Sequence, residues 1–565
     1  MRSIRATASR APIRLLRAAA LGLSVATAAC HGDLAPPIPA AHDDDVPRRG
    51  GTLRLASFAD IRGLDPARAS DLLAGEAIHL VFAGLVDFDA RGAVVPDLAD
   101  RWELDDARTT YRFFLRPGVV MHDGAELTAD DVKRSIERAL HPTTPDPSAS
   151  YFESIAGYDD YVAGRAPHLA GVEVESPSVV AIRLSHPDAT FLSVLALYAT
   201  RPVCRSGGDR AADNWWPCGA GPFKVARWQR GQTLLLERHE RYFHAGLPYL
   251  DAVEWTYNDP QLGQRFRFEA GDLDVLRDVP QSDLQRYARD PRWIPFGHRE
   301  ADVTLYGEVM NTRIPPFDNV EVRRAVAAAI DRDHYRLLRP TDMTPLGQPI
   351  PPDVPGHDPD LRCQSFDRPA ALEHMRRAGL AYDPATGRGG WPKPVPYLLY
   401  DKGLAVFTAQ LLQQDLAAIG LHIDLRLVSF PAFLALAQKP GASAMSFGNW
   451  TMDFPDPSSF FEPLFTSASI GPEGGSNTAF YANPRFDDLV ARGHRALEGP
   501  ERRALYREAS RILCDDAPWA FTFAYHWYDV IQPYVKGPLL HAVWVLDPTR
   551  VWLDRGDAPS RAGSP

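Results

Sequence analysis

A chain of 565 residues exceeds what one hydrophobic core usually supports, so two or three lobes are expected. With 45% apolar and 24% charged residues and a mean hydropathy of -0.25, it reads as an ordinary globular sequence with no room for several membrane spans. A net charge of -11 argues against a surface built to neutralise phosphates, and nucleic acid is not an expected partner. The 50 prolines exceed the usual share of about 5% and point to many extended surface connections rather than a helical bundle.

The first segment reads as an export signal. Arg2, Arg5, Arg10, Arg14 and Arg17 precede a small apolar stretch from Ala18 to Ala29, with no acidic residue before Asp33. The stretch is too short for a stable span of ~20 residues, and it ends on small residues before Cys30, as at a bacterial lipoprotein processing site. Thr27 stands where such sites usually carry leucine, so ordinary cleavage near Ala26-Thr27-Ala28 is the alternative. If Cys30 carries lipid, Cys204, Cys218, Cys363 and Cys514 remain, an even number for an oxidising compartment. Loop proximity favours Cys204 with Cys218; four buried free thiols are the competing reading. Residues 31–49 lack apolar periodicity and read as a flexible tether, and the body begins at Gly50.

Within the body, Leu53 and Leu55 share one face of a short strand. Tyr111, Phe113 and Leu115 alternate in a second strand that ends at Pro117-Gly118. Thr128 then caps a helix with Asp131 as its box partner, and Val132, Ile136 and Leu140 form the apolar stripe. Val253, Trp255 and Tyr257 give another strand, while Asp318 and Glu321 cap a helix carrying Val322, Val326 and Ile330. A helix from about Leu404 to Ile419 stops at Gly420, and Leu421, Ile423, Leu425 and Leu427 alternate in the strand after it. A short helix over Phe430 to Gln438 and a strand over Ser443 to Gly448 complete an αβαβ run. In open α/β sheets ligands sit beyond the carboxyl ends of strands, which makes Trp450 to Pro457 a candidate site by position.

The block YRFFLRPGVVMHDGAELTADDVKRSIER, Tyr111 to Arg138, together with Gly219-Ala220-Gly221-Pro222-Phe223, Asn311 to Asp333 and Leu411 to Leu464, resembles the peptide and nickel binding components of ABC importers, the bacterial extracellular solute-binding proteins of family 5. The resemblance runs from about Gly51 to Trp552. It implies an α/β fold of the periplasmic binding protein type, with two hinged, ligand-enclosing lobes and an extra inserted domain. Lobe I would comprise 50–95, 215–310 and 525–556, inserted domain II 96–214, and lobe III 311–524, with an export signal at 1–30 and a disordered tail at 557–565. In peptide-binding members an aspartate in a Trp-x-x-Asp sequence receives the ligand's α-ammonium. Trp450-Thr451-Met452-Asp453 carries that pattern, and an ammonium taken out of water needs such a countercharge. The backbone at Thr451, Met452, Ser57 and Phe58 resembles segments that bind an extended peptide as an added strand. Lys402 lies near where relatives place a cation for the peptide carboxylate.

The residues alone leave blander readings. Asp453 could cap the turn Phe454-Pro455-Asp456-Pro457, and Trp450 could be a core aromatic. His122-Asp123-Gly124 reads as turn structure. Enzyme signatures fail on spacing. His239-Glu240 is followed by His244, so the imidazoles lie about 140° apart on a helix. Neither Gly441-Ala442-Ser443-Ala444-Met445 nor Gly219-Ala220-Gly221 completes a nucleophile elbow or a dinucleotide loop. No catalysis, cofactor or metal is expected. The expected function is capture of di- or oligopeptides for delivery to an inner-membrane permease, by a monomer in the periplasm or cell envelope. An envelope sensor, or a receptor for an opine, nickel chelate or oligosaccharide, would use the same closure.

Overall fold

A computed structural model describes residues 46–69, 72–144, 149–207, 216–299, 301, 303–338, 343–361, 363–400, 403–471, 475–497, 499–525 and 527–555. Cys30, the tether up to residue 45 and the tail from 556 lie outside them. No described helix is long and apolar enough to cross a membrane.

The chain folds around several separate cores, as its length requires. In lobe I, Thr52–Ala56 runs parallel to Ala252–Thr256, and Thr233–Arg238 and Phe223–Gln229 extend the sheet antiparallel. Leu53, Leu55, Val253 and Trp255, the residues whose alternation marked these strands, are buried in its core. A second small sheet in this lobe orders Val275–Leu276, Tyr528–Ile531 and Gly297–Arg299.

Domain II is built on an antiparallel sheet of Ala99–Leu104, Thr110–Leu115, Val179–Arg183 and Val172–Ser176. The helix Ala129–Ala139 packs on it through Val132 and Ile136. Its first turn is closed by Asp131, whose carboxylate accepts from the Thr128 backbone N–H at 3.1 Å and the Thr128 hydroxyl at 2.8 Å.

Lobe III carries a six-stranded mixed sheet in the order Met343–Pro345, Trp519–Tyr525, Thr304–Met310, Met445–Thr451, Val395–Tyr400, Ile423–Val428. Helices cover both faces, which is why Thr304–Met310 and Trp519–Tyr525 are buried at every position instead of alternating. The αβαβ run folds as expected: Gly403–Ala417, Ile423–Val428, Phe430–Ala437 and Met445–Thr451. Gly420 makes the turn from helix to strand at φ +77°.

Several expectations are corrected. The first helix of lobe III, Val320–Ala329, is capped by Asn319, whose side chain accepts from the Glu321 N–H, rather than by Asp318. Leu427 is 47% exposed because Ile423–Val428 is an edge strand with its far end uncovered. Lobe III begins at Thr304 rather than at 311, since the strand Thr304–Met310 lies inside its sheet. It extends through Tyr525, so lobe I resumes only with Tyr528–Ile531. Leu85, Val86 and Phe88 join the domain II core ahead of the expected boundary at 96.

The chain therefore passes between lobes I and III twice, from Arg299 to Thr304 and from Tyr525 to Tyr528. Each crossing links a strand of the small lobe I sheet to a central strand of the lobe III sheet. Disulfides join Cys204 to Cys218 and Cys363 to Cys514. The first is the pairing that loop proximity favoured, and the four-free-thiol reading is set aside. Sulfurs so joined offer no thiolate to a cation, although Asp123 lies beside Cys204 and Cys218.

Candidate functional site

The candidate segment starts on a strand, not in a loop. Met445–Thr451 runs to Thr451, three residues beyond the expected Gly448, so Trp450 and Thr451 belong to its carboxyl end. One edge of this strand pairs with Thr304–Met310 along its whole length. The other edge pairs with Val395–Tyr400 only at Met445 and Ser446. Among the described residues, no strand covers that edge from Phe447 onward, which leaves backbone hydrogen-bonding capacity facing outward.

After Thr451 the chain turns. Met452 is buried in the lobe III core, and its N–H already donates to the Val303 carbonyl at 3.1 Å. Trp450 packs on the same core and donates from Nε1 to the Ser459 carbonyl at 2.8 Å. These two side chains thus occupy structural positions. Phe454 buries itself in the domain II core, edge-on to Tyr151.

Between them Asp453 is held by two hydrogen bonds of different kinds. Its N–H donates to Ser459 Oγ at 2.8 Å, and its carboxylate Oδ2 accepts from the Tyr151 hydroxyl at 2.8 Å. Tyr151 belongs to domain II, so this bond joins domain II to lobe III. Solvent reaches part of the side chain. The protein around it nevertheless removes enough hydration to push the carboxyl up to about 7, against the smaller lowering effect of Tyr151. No Arg, Lys or His among the described residues forms an ion pair with it. Asp453 does not cap the following turn; Asp456 does that, accepting from the Ser458 N–H at 2.9 Å.

Lobes I and III meet around a cavity of about 240 Å³. Thr304, Thr451 and Tyr525 line it from lobe III, and Leu540, His541 and Val543 from the return segment; Arg299 and Trp527, on the crossings, complete the wall. Asp453, two residues beyond Thr451, is not among its lining residues. A second cavity, of about 40 Å³, is lined by Ser57 and Phe58. Ser57 uses its N–H toward the Thr256 carbonyl and its carbonyl toward the Asp259 N–H, so its backbone is already paired within lobe I. Phe58 is 42% exposed. Lys402 lies outside the described residues.

Tyr151, Tyr525 and Trp527 were missed by sequence reasoning. Tyr151 sits in a short turn with no periodicity, and the two aromatics belong to a run, Trp519–Tyr525 and beyond, that reads only as a buried strand. What unites them is position at lobe boundaries, which no local pattern encodes.

A cleft between two lobes crossed by paired strands, with an inserted third domain, defines a two-lobed binding protein of the periplasmic type. The family model described as bacterial extracellular solute-binding proteins, family 5 Middle, matches residues 93–472, and the chain belongs to that family. It is 29% identical over 494 residues to a probable di/tripeptide-binding protein 5 of Pseudomonas aeruginosa, covering 84% of this chain and 90% of that protein. It is 26% identical to the periplasmic oligopeptide-binding protein of Salmonella typhimurium, over 86% of this chain and 89% of the other. Identity to a heme-binding protein A of Haemophilus influenzae is 28%, over 81% and 84%. Among solved structures, a Helicobacter pylori periplasmic binding protein in complex with the peptide STSA superposes with a TM-score of 0.78 at 22% identity, covering 90% of this chain and 99% of that one. The unliganded open form of a periplasmic murein tripeptide binding protein gives 0.65 at 22% identity, covering 92% and 99%.

Proposed function

We propose that this protein is the receptor of an ATP-driven importer: it encloses a short, amine-bearing peptide between lobes I and III and delivers it to a membrane permease without altering it. The observation that carries this reading is Asp453, a carboxylate without a cationic partner among the described residues, at the end of a strand with one open edge. A ligand ammonium would supply the missing charge, and an extended peptide backbone would supply hydrogen bonds to the edge from Phe447 onward. Main-chain pairing ignores side-chain identity, which suits a receptor for many sequences. The cavity of about 240 Å³ lies just below the range of roughly 300–1,000 Å³ typical of sites for drug-sized ligands, which favours a short solute. The better superposition on a peptide complex than on an open form supports lobes standing close to their closed arrangement.

In this reading Cys30 carries a lipid that holds a monomeric receptor at the cell envelope, and Lys402 is the candidate cation for the ligand's carboxylate. The deciding experiment is mass spectrometry of the solute released on denaturing protein purified from an exporting host. Short peptides of varied sequence are expected. A single non-peptide compound would keep the receptor and overturn the peptide assignment.

A further inference from the structure

We propose that Trp527 is a size-determining divider, a side chain that stands between the interlobe cavity and a smaller pocket on the lobe I side and so limits the length of the solute this protein holds. The inference rests on the reading of the cleft as the ligand site. Trp527 sits on the second crossing between lobes, and among the described residues it alone lines both the cavity of about 240 Å³ and that of about 40 Å³. Its ring packs against the core of lobe I and also against that of lobe III. The adjacent wall is continuous on both sides, with Leu72 and Val545 on the larger chamber and their chain neighbours Leu73 and Leu546 on the smaller.

One face of the ring is covered by a cation. The Arg277 guanidinium lies over it at 4.7 Å from the ring centre. That guanidinium is itself tethered, with Nη1 at 2.7 Å from Glu76 and Nε at 3.2 Å from Asp529. On the other side of the crossing the Tyr525 hydroxyl donates to the Asp278 carboxylate, tying lobe III to lobe I. Moving the ring from this position gives up its cation–π contact with a guanidinium that Glu76 and Asp529 hold in place. A ligand that fills the larger chamber therefore meets an aromatic wall, and the smaller chamber, bounded by Glu76, Asp278, Gln261 and Gln264, is closed to it.

The test compares wild type with Trp527→Ala and Trp527→Phe, all purified from the same exporting host and offered an equimolar mixture of alanine peptides of two to five residues. Native mass spectrometry then reads the mass of every retained solute. In Trp527→Ala the retained distribution is expected to move to longer solutes, with the four-residue to two-residue ratio rising at least tenfold. Trp527→Phe, which keeps a ring, is expected to stay close to wild type. An unchanged melting temperature in Trp527→Phe shows that the site is intact. Equal mass distributions in wild type and Trp527→Ala, empty proteins included, overturn the divider. A heavier but non-peptide solute in Trp527→Ala would sustain the divider while sinking the peptide assignment, so the two failures are distinguishable.

Discussion

At Asp453 the protein keeps a carboxylate in surroundings that disfavour its charge, and the consequence is measurable. Its folded value of about 7 lies above the unfolded one, so between roughly pH 4 and 7 the folded state holds a proton that the unfolded chain has lost. Its contribution to stability therefore falls as pH rises through that window. A bound ammonium reverses the preference by favouring the ionised form. Peptide binding is then expected to expel a proton near neutral pH, and affinity to rise about tenfold per pH unit up to about pH 6.5 before levelling off. Calorimetry in buffers of different ionisation enthalpy reads the proton directly. Asp453→Asn should weaken binding by about 2–5 kcal/mol and flatten the pH profile; an unchanged affinity and profile would remove Asp453 from the site. His494 shows the opposite arrangement. Burial lowers its pKa, but Glu462 at 2.6 Å and Asp188 at 2.9 Å outweigh burial and raise it well above the ordinary value. Because Asp188 belongs to domain II and the other two to lobe III, the imidazolium fastens these units together. Its contribution is complete below the unfolded histidine value and is lost only as pH rises through the raised one. His494→Gln is expected to cost about 3–5 kcal/mol in urea denaturation at pH 7, and a loss under 1 kcal/mol would show the pair to be dispensable.

Single elements were legible wherever a local rule decided them. The Thr128–Asp131 box, the Leu53 and Leu55 strand and the helix-to-strand turn at Gly420 appear where pattern and turn chemistry placed them. The turn has a strict requirement: a Cβ on Gly420 would stand 2.5 Å from the Tyr382 ring and 2.9 Å from the Gly390 backbone. Gly420→Ala is expected to destabilise lobe III by more than the roughly 1–2 kcal/mol that left-handed backbone alone costs. An unaltered urea midpoint would mean that the turn relaxes freely. Leu427 and Asp318 were misread for one reason: alternation and cap sequences give a side chain's direction, whereas burial at a sheet edge and the choice between adjacent caps depend on what packs there.

Over the whole molecule the two disulfides make different demands. Cys363–Cys514 closes a separation of 151 residues and Cys204–Cys218 one of 14. On the loop-entropy account the longer closure restrains the unfolded chain more, by about 2 kcal/mol. The Cys363→Ser, Cys514→Ser double variant should accordingly lose more stability than Cys204→Ser, Cys218→Ser, as read from chemical denaturation. Equal losses would place the stabilisation in the folded state. By itself the sequence determined the family, the α/β class, the order of elements and the Trp-x-x-Asp motif, because these depend on local periodicity, turn chemistry and short runs of residues. Only the tertiary structure decided that Thr304–Met310 belongs to lobe III, that Tyr151 reaches Asp453 from another domain, that Met452 is core, and that Trp527 stands between two cavities. Each of those facts is a contact between segments far apart in the chain, and such contacts are set by the joint packing of several lobes rather than by any neighbouring residues.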